Sequence, residues 1–258
     1  GLAYGVVLGA LMHILIQLPA LKGTGYRWYF RWSFFQEVKI GLRKMWIIAI
    51  PRALAIITFQ VFLLGITSIA TMLRAGSLAI FNFANTIQNL PQTVFALSFT
   101  VAAFPSLAKL NARKKDDEFN TVAKDNLLQI LFFLIPIAVW FIVFREPVVR
   151  LLLGYGKFDW AATMSTVKVF SILSLGMIFQ GANVFLLRIF FARKDSLRPF
   201  IASLVSYSLG IALCYYLAKQ GGLIGLTVGA ALTYFIYSLI LSIFLVPFFS
   251  SSLRKDFI

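Results

Sequence analysis

Four amide side chains recur through one apolar stretch of this chain. Asn82, Asn85, Asn89 and Gln92 follow one another at spacings of three, four and three. In a helix that spacing puts all four on one face, while Phe81, Phe83, Leu90 and Phe95 fill other positions. Polar groups in hydrocarbon are expensive, so they face a bundle interior or a wet cavity. One reading of the stripe is the wall of a polar cavity. The other is interhelical hydrogen bonding, in which the amides only join helices. A stripe that persists over several turns favours the cavity. Pro91 sits within the same stretch. It removes one backbone donor and kinks the helix, either as a hinge between two states or as a fixed bend.

One helix earlier, Arg52 follows Pro51 about two turns into an apolar run that starts near Met45. A guanidinium at that depth costs several kcal/mol unless it is paired or hydrated. No Asp or Glu lies within any apolar run to neutralise it. It either snorkels to the interface or points into a cavity and binds an anionic group, ideally a phosphate held in bidentate fashion. Gln60, about two turns deeper, suits packing or cavity lining. A cavity with a cation, many amides and no carboxylate is matched to an anionic ligand. Lys168 reads as an interfacial anchor, and Gln180 and Asn183, which flank Gly181, as hydrogen-bonded packing.

Other chemistries lack their residues. There is no G-x-x-x-x-G-K-[ST] nucleotide loop, no H-E-x-x-H and no G-x-S-x-G elbow. No pair of intramembrane carboxylates suggests a proton relay or a sodium site. One cysteine, Cys214, and one histidine, His13, are too few for a disulfide or a Cys/His metal site. These absences predict a protein that is not an enzyme and needs no cofactor or metal.

The elements that position the amides are membrane helices. Of 258 residues, 60% are hydrophobic and 13% charged, and the mean hydropathy is +0.87. A soluble domain needs more charge to cover its surface. Seven runs approach the about 20 apolar residues that span a bilayer: Leu2–Leu18, Met45–Thr67, Ser77–Phe104, Leu127–Phe144, Thr166–Leu187, Phe200–Leu217 and Leu223–Phe249. The predicted fold is an all-α polytopic helical bundle. The net charge of +15 would suggest nucleic acid in a soluble protein; here it reflects basic loops held on the cytoplasmic side. Lys22, Arg27, Arg31, Lys39, Arg43 and Lys44 follow the first run, whereas Arg74 alone follows the second. Lys109, Arg113, Lys114, Lys115 and Lys124 follow the third, and Lys219 alone follows the sixth. The alternation predicts a cytoplasmic first loop. Tyr26–Arg43, which interleaves aromatic and basic residues, suits the headgroup level. Val148–Leu153 suits a short interfacial helix closed by a glycine turn at Gly154-Tyr155-Gly156. The apolar start at Gly1 suggests a fragment without its N-terminal part.

Several motifs resemble landmarks of the MurJ (MviN) lipid II flippases of the MOP transporter superfamily. They are Asn82-Phe83-Ala84-Asn85, Leu90-Pro91, Phe104-Pro105-Ser106-Leu107 and Gly154-Tyr155-Gly156-Lys157-Phe158-Asp159. Arg188 to Pro199, Gly5-Val-Val-Leu-Gly-Ala-Leu and Gln17-Leu-Pro19 add to them. Each is short, but their order covers nearly the whole chain. The resemblance implies a protein that moves undecaprenyl-pyrophosphate-linked peptidoglycan precursor between leaflets by alternating access. It implies that 1–20 is the last helix of an N-terminal bundle, 21–44 a basic cytoplasmic or interfacial linker, and 45–258 a C-terminal bundle. Its expected partners are the lipid-linked precursor and membrane lipids, with no nucleic acid, and a monomer is favoured. Its expected location is the bacterial plasma membrane, with 20–44, 105–126, 188–199 and the C-terminus cytoplasmic. The chain departs from the family at one place. Many members carry an Asp-Arg pair where this chain has Asn85 and Thr86, and an acidic residue where it has Asn89. The resemblance therefore carries no pyrophosphate contact to Thr86, and Arg52 becomes the candidate replacement. The expected substrate-facing set is Arg52, Gln60, Asn82, Asn85, Asn89 and Gln92, with Pro91 as the hinge or kink. Exporters of other lipid-linked oligosaccharides or of drugs, and a non-transporting scaffold, are the alternatives.

Overall fold

The computed structural model describes residues 2–23, 34–153 and 160–253. They form α1 (Leu2–Gly23), α2 (Phe34–Met72), α3 (Ser77–Pro91), α4 (Ser98–Ala112), α5 (Asp116–Val143), α6 (Arg145–Leu153), α7 (Trp160–Ala192) and α8 (Leu197–Leu253). A π-helical segment, Gln92–Leu97, joins α3 to α4 without a break. Among the described residues, five helical stretches are long and apolar enough to cross a membrane: Met45–Met72, Ser77–Ala112, Asp116–Val143, Trp160–Ala192 and Leu197–Pro247. Tyr4–Gln17 is a shorter apolar helix. The chain is an all-α integral membrane protein, and each of the seven apolar runs falls within a helix to within a residue. Gly154–Asp159, Arg254, Lys255 and the first part of Tyr26–Arg43, residues 26–33, lie outside what is described.

The two last runs share α8. Its 57 residues would extend about 85 Å at 1.5 Å per residue, far beyond a hydrocarbon core of about 30 Å. The resolution lies at Gly222, whose φ of 57° and ψ of −134° are not helical; glycine reaches that region because it has no Cβ. The chain doubles back there. Gly229 lies against Cys214, Gly210 against Thr233, and Gly225 against the backbone of Leu217. These pairs close in antiparallel register on the Gly221–Gly222 turn.

The chain divides into two compact units, Gly1–Met45 and Trp46–Ile258, and the site residues all belong to the second. Its axis is α7, which touches α3, α4, α5, α6 and α8. Small residues permit this, since without a hydrophobic drive between helices close backbone approach supplies the packing. Gly176 admits Ala231, with only 3.2 Å between the Ala231 methyl and an imagined Cβ, and Gly181 admits Leu134 and Ala96. By contrast, α2 lies at the edge of this unit. It meets α8 where Thr58 Oγ1 and Ser203 Oγ lie 2.9 Å apart and where Phe62 stacks on Tyr207 at 5.1 Å between centroids.

The ends of α4 and α7 use the same closure. Lys114 (φ 57°) and Lys194 (φ 60°) adopt left-handed backbone. The amides of Lys115 and Asp195 then donate to the carbonyls of Leu110 and Phe190, the six-to-one bond of a Schellman turn. Asp116, Asp117 and Glu118 occupy the first turn of α5, where the helix dipole favours negative charge. Arg193 Nη2 donates to Asn120 Oδ1 at 2.8 Å and its guanidinium lies 4.5 Å above the Phe119 ring. Burial pushes the pKa of Arg193 down, and the Asp116 carboxylate pushes it back up.

Candidate functional site

A cavity of about 490 Å³ opens between α2, α3, the π segment, α7 and α8. Its polar wall is Asn85, Asn89, Gln92 and Thr93 on one side and Gln180 and Asn183 on the other. Tyr207, Tyr234 and Tyr237 from the α8 hairpin close it, with Ala55, Ile56, Phe59 and Leu63 of α2 and Leu187 and Phe191 of α7 supplying apolar surface. Among the described residues, no carboxylate lines it.

Pro91 explains part of this geometry. Proline has no N–H and its ring crowds the carbonyl four residues back, here that of Ile87. The chain answers with a change of register: the Gln92 N–H donates to Asn89 O, and a π-helical turn begins at once. Such turns are wider than α and recur at functional sites. This one presents the adjacent residues Gln92 and Thr93 to the cavity together. The helix continues through Pro91 to Ala112.

The amides form a network around a residue that the stripe did not include. Gln88 is fully buried, and its Nε2 approaches Asn85 Oδ1 at 3.0 Å, Asn89 Oδ1 at 3.1 Å and Gln180 Oε1 at 3.1 Å. An amide nitrogen carries two protons, so three acceptors share two donors. Asn183 Nδ2 donates to the Tyr234 carbonyl at 2.9 Å. Gln88 Oε1, Gln92 Oε1 and Asn183 Oδ1 are buried with no hydrogen-bond partner. Acceptor oxygens are therefore in surplus within this network, and the cavity wall presents the amides of Asn85, Asn89, Gln92, Gln180 and Asn183, which pair with hydroxyl and N–H groups.

Asn85, Asn89 and Gln92 thus stand together on the cavity wall. Asn82 and Gln60 are exposed and are not among the lining residues. Helical angles account for the difference: at about 100° per residue, Asn82 and Gln88 sit at opposite edges of an arc of roughly 120°. The arc turns its Gln88 edge inward and its Asn82 edge outward. The spacing of Gln88 from Asn85 and Gln92 was the signal that could have found it. Gln180 and Asn183 do pack by hydrogen bonds, and they also line the cavity. The three tyrosines had no local signal, because the α8 hairpin brings them together from positions up to 30 residues apart.

Arg52 is exposed, and its guanidinium lies 4.6 Å above the ring of Phe191, a cavity residue. Arg188, next to the lining residue Leu187, is half-buried and lies 5.8 Å from the Phe104 ring centroid. The two arginines are within electrostatic reach of each other. Two guanidiniums without a carboxylate partner among the described residues thus border one wall of a neutral polar cavity. Such a pair attracts a multiply charged anion.

A family model described as lipid II flippase MurJ matches residues 1–252. A probable lipid II flippase MurJ of Bdellovibrio bacteriovorus is 26% identical over 242 residues, covering 93% of this chain and 46% of that protein. The probable lipid II flippase MurJ of Thermotoga maritima is 23% identical over 253 residues, covering 98% and 50%. The chain spans about half the length of the curated relatives it matches. Among solved structures, a lipid II flippase MurJ in an inward closed conformation superposes with a TM-score of 0.62 at 24% identity, over 84% of this chain and 44% of that one. An outward-facing multidrug resistance MATE family transporter of the MOP superfamily superposes at 0.67 and 18% identity, over 77% and 43%. Both show the same helical arrangement, and the family match decides between them: this chain belongs to the MurJ family of lipid II flippases.

Proposed function

We propose that residues 45–258 form the C-terminal bundle of a lipid II flippase, with 1–20 the last helix of its N-terminal bundle and 21–44 a basic linker. The substrate is a lipid-linked peptidoglycan precursor, and no covalent bond is made or broken. The barrier is the desolvation of a charged, hydroxyl-rich head in hydrocarbon, and the protein lowers it by replacing water with its own polar groups. The observation that carries the reading is the composition of the cavity. Its wall of amides, Asn85, Asn89, Gln92, Gln180 and Asn183, meets the hydroxyl and N–H groups of the head, while Arg52 and Arg188, at its border, meet the pyrophosphate. The tyrosines offer flat surfaces for sugar rings. Alternating access shifts the population between states that open to either side. The protein acts as a monomer in the bacterial plasma membrane, with the basic segments 105–126 and 188–199 in the cytoplasm.

The test supplies the protein, in its native reading frame, to a bacterium depleted of its own lipid II flippase, and measures lipid II exposed on the outer leaflet. Exposure is restored. Arg52→Ala lowers it by roughly tenfold, the worth of one charge-assisted hydrogen bond. No exposure from a protein shown to be inserted and stable refutes the flippase reading, and full exposure from Arg52→Ala removes Arg52 from the site.

A further inference from the structure

A second cavity, of about 580 Å³, lies at the end of the bundle that carries the α2–α3 turn, the start of α7 and the turn of the α8 hairpin. Arg74, Ser77 and Lys168 line it together with Gly222. Cations are out of place here on the charge pattern of the chain, because the positive-inside rule gathers them at the other end. The remaining cations described at this end are occupied. Arg150 lies 4.5 Å from the Trp160 ring, Lys219 lies 4.6 Å from that of Tyr215, and Arg145 donates to the Ile142 carbonyl. Among the described residues, Arg74 and Lys168 have no hydrogen bond, ion pair or ring contact from their side chains, and they converge on one cavity with no acid in its lining.

Two further observations point to a ligand. Ser77 is 94% buried, at 6% relative exposure, and lines the cavity, where its hydroxyl has no hydrogen-bond partner among the described residues. Ser77 also begins α3, whose N-cap is Gly76 in left-handed backbone (φ 88°) with no capping side chain. The first amides of a helix lack intrahelical acceptors and carry the positive end of its dipole. An oxyanion seated there meets two cations, a hydroxyl and a helix start, the donor set that phosphate takes.

We propose that Arg74, Lys168, Ser77 and the start of α3 form a phosphate-binding site, separate from the amide cavity, at the opposite end of the bundle from the basic turns at Lys109–Lys115 and Arg193–Lys194. The phosphate comes from a lipid headgroup or from free phosphate. Exposed Met72, Trp160 and Ile224 beside the cavity give acyl chains a surface, which favours the lipid. Binding requires no transport, so the site stands or falls independently of the flippase reading.

The experiment uses purified protein in neutral detergent. Native mass spectrometry measures binding of dioleoyl phosphatidylglycerol, of dioleoylglycerol with the same chains and no phosphate, and of inorganic phosphate. Wild type binds phosphatidylglycerol at least about tenfold more tightly than dioleoylglycerol, R74Q/K168Q loses about tenfold, and K109Q/K124Q, which removes the same charge at the other end, loses nothing. Inorganic phosphate that binds alone and shows the same sensitivity to R74Q/K168Q identifies the soluble anion as the source. Equal thermal unfolding of the variants without probe excludes misfolding. Undiminished binding of both probes by R74Q/K168Q, no binding by wild type, or an equal loss in K109Q/K124Q overturns the site.

Discussion

Two helices of the same bundle border the same cavity and are built on opposite principles. In α7, 61% of the most apolar window is buried inside the protein; in α2 the figure is 12%. The mean hydropathies, 1.8 and 2.2, run the other way. Hydropathy therefore reports that a helix enters the membrane and not whether it packs. What distinguishes α7 is small and polar residues: Gly176, Gly181, Ser174 and Asn183 are buried in it. Lipid is as apolar as leucine, so burial in a membrane bundle is gained through close packing and hydrogen bonds and not through escape from water. The central helix holds its neighbours through such contacts, while α2 presents Ile57, Val61 and Leu64 outward and touches the cavity along one line.

Substitutions break or sharpen this contrast. Phe185→Ala, at a fully buried position of α7, costs about 3–5 kcal/mol through the void it leaves, measured by denaturant unfolding of the detergent-solubilised protein. Gly181→Val drives a branched side chain into Leu134 and Ala96 and costs about 3 kcal/mol, the upper end for overpacking. The same assay with Gln88→Leu shows a loss of about 2 kcal/mol, because Asn85, Asn89 and Gln180 lose their shared donor; little change would mean that water takes its place. Leu64→Ala, on the outer face of α2 at 66% exposure, stays within about 0.5 kcal/mol. A large loss there would show that α2 is packed against protein and would dissolve the contrast.

The sequence made the helices legible because a bilayer imposes a fixed length of apolar chain. The basic turns were legible for an equally general reason. Asn85, Asn89 and Gln92 could be read as a site because their spacing follows the helical period. Gln88 belongs to the same arc, three residues from Asn85 and four from Gln92, but spacing alone does not tell which edge of the arc turns inward. Gly222 could have been read as a turn between two runs, but not the way Gly210, Gly225 and Gly229 dock the halves of α8. That docking, and with it the tyrosine trio, depends on contacts distant in sequence. Arg52 could be flagged by its depth, whereas its place over Phe191 required the fold.

In the proposed function the amide cavity receives the head of the lipid-linked precursor. A benzophenone photocrosslinker in place of Thr93, an exposed cavity residue of the π segment, tests it against the same probe in place of Leu128, exposed on the outer face of α5. The purified protein is irradiated with head-labelled lipid II. An adduct forms from position 93 that excess unlabelled lipid II suppresses, and none forms from position 128. An adduct of equal yield at both positions, or at 128 alone, would contradict it.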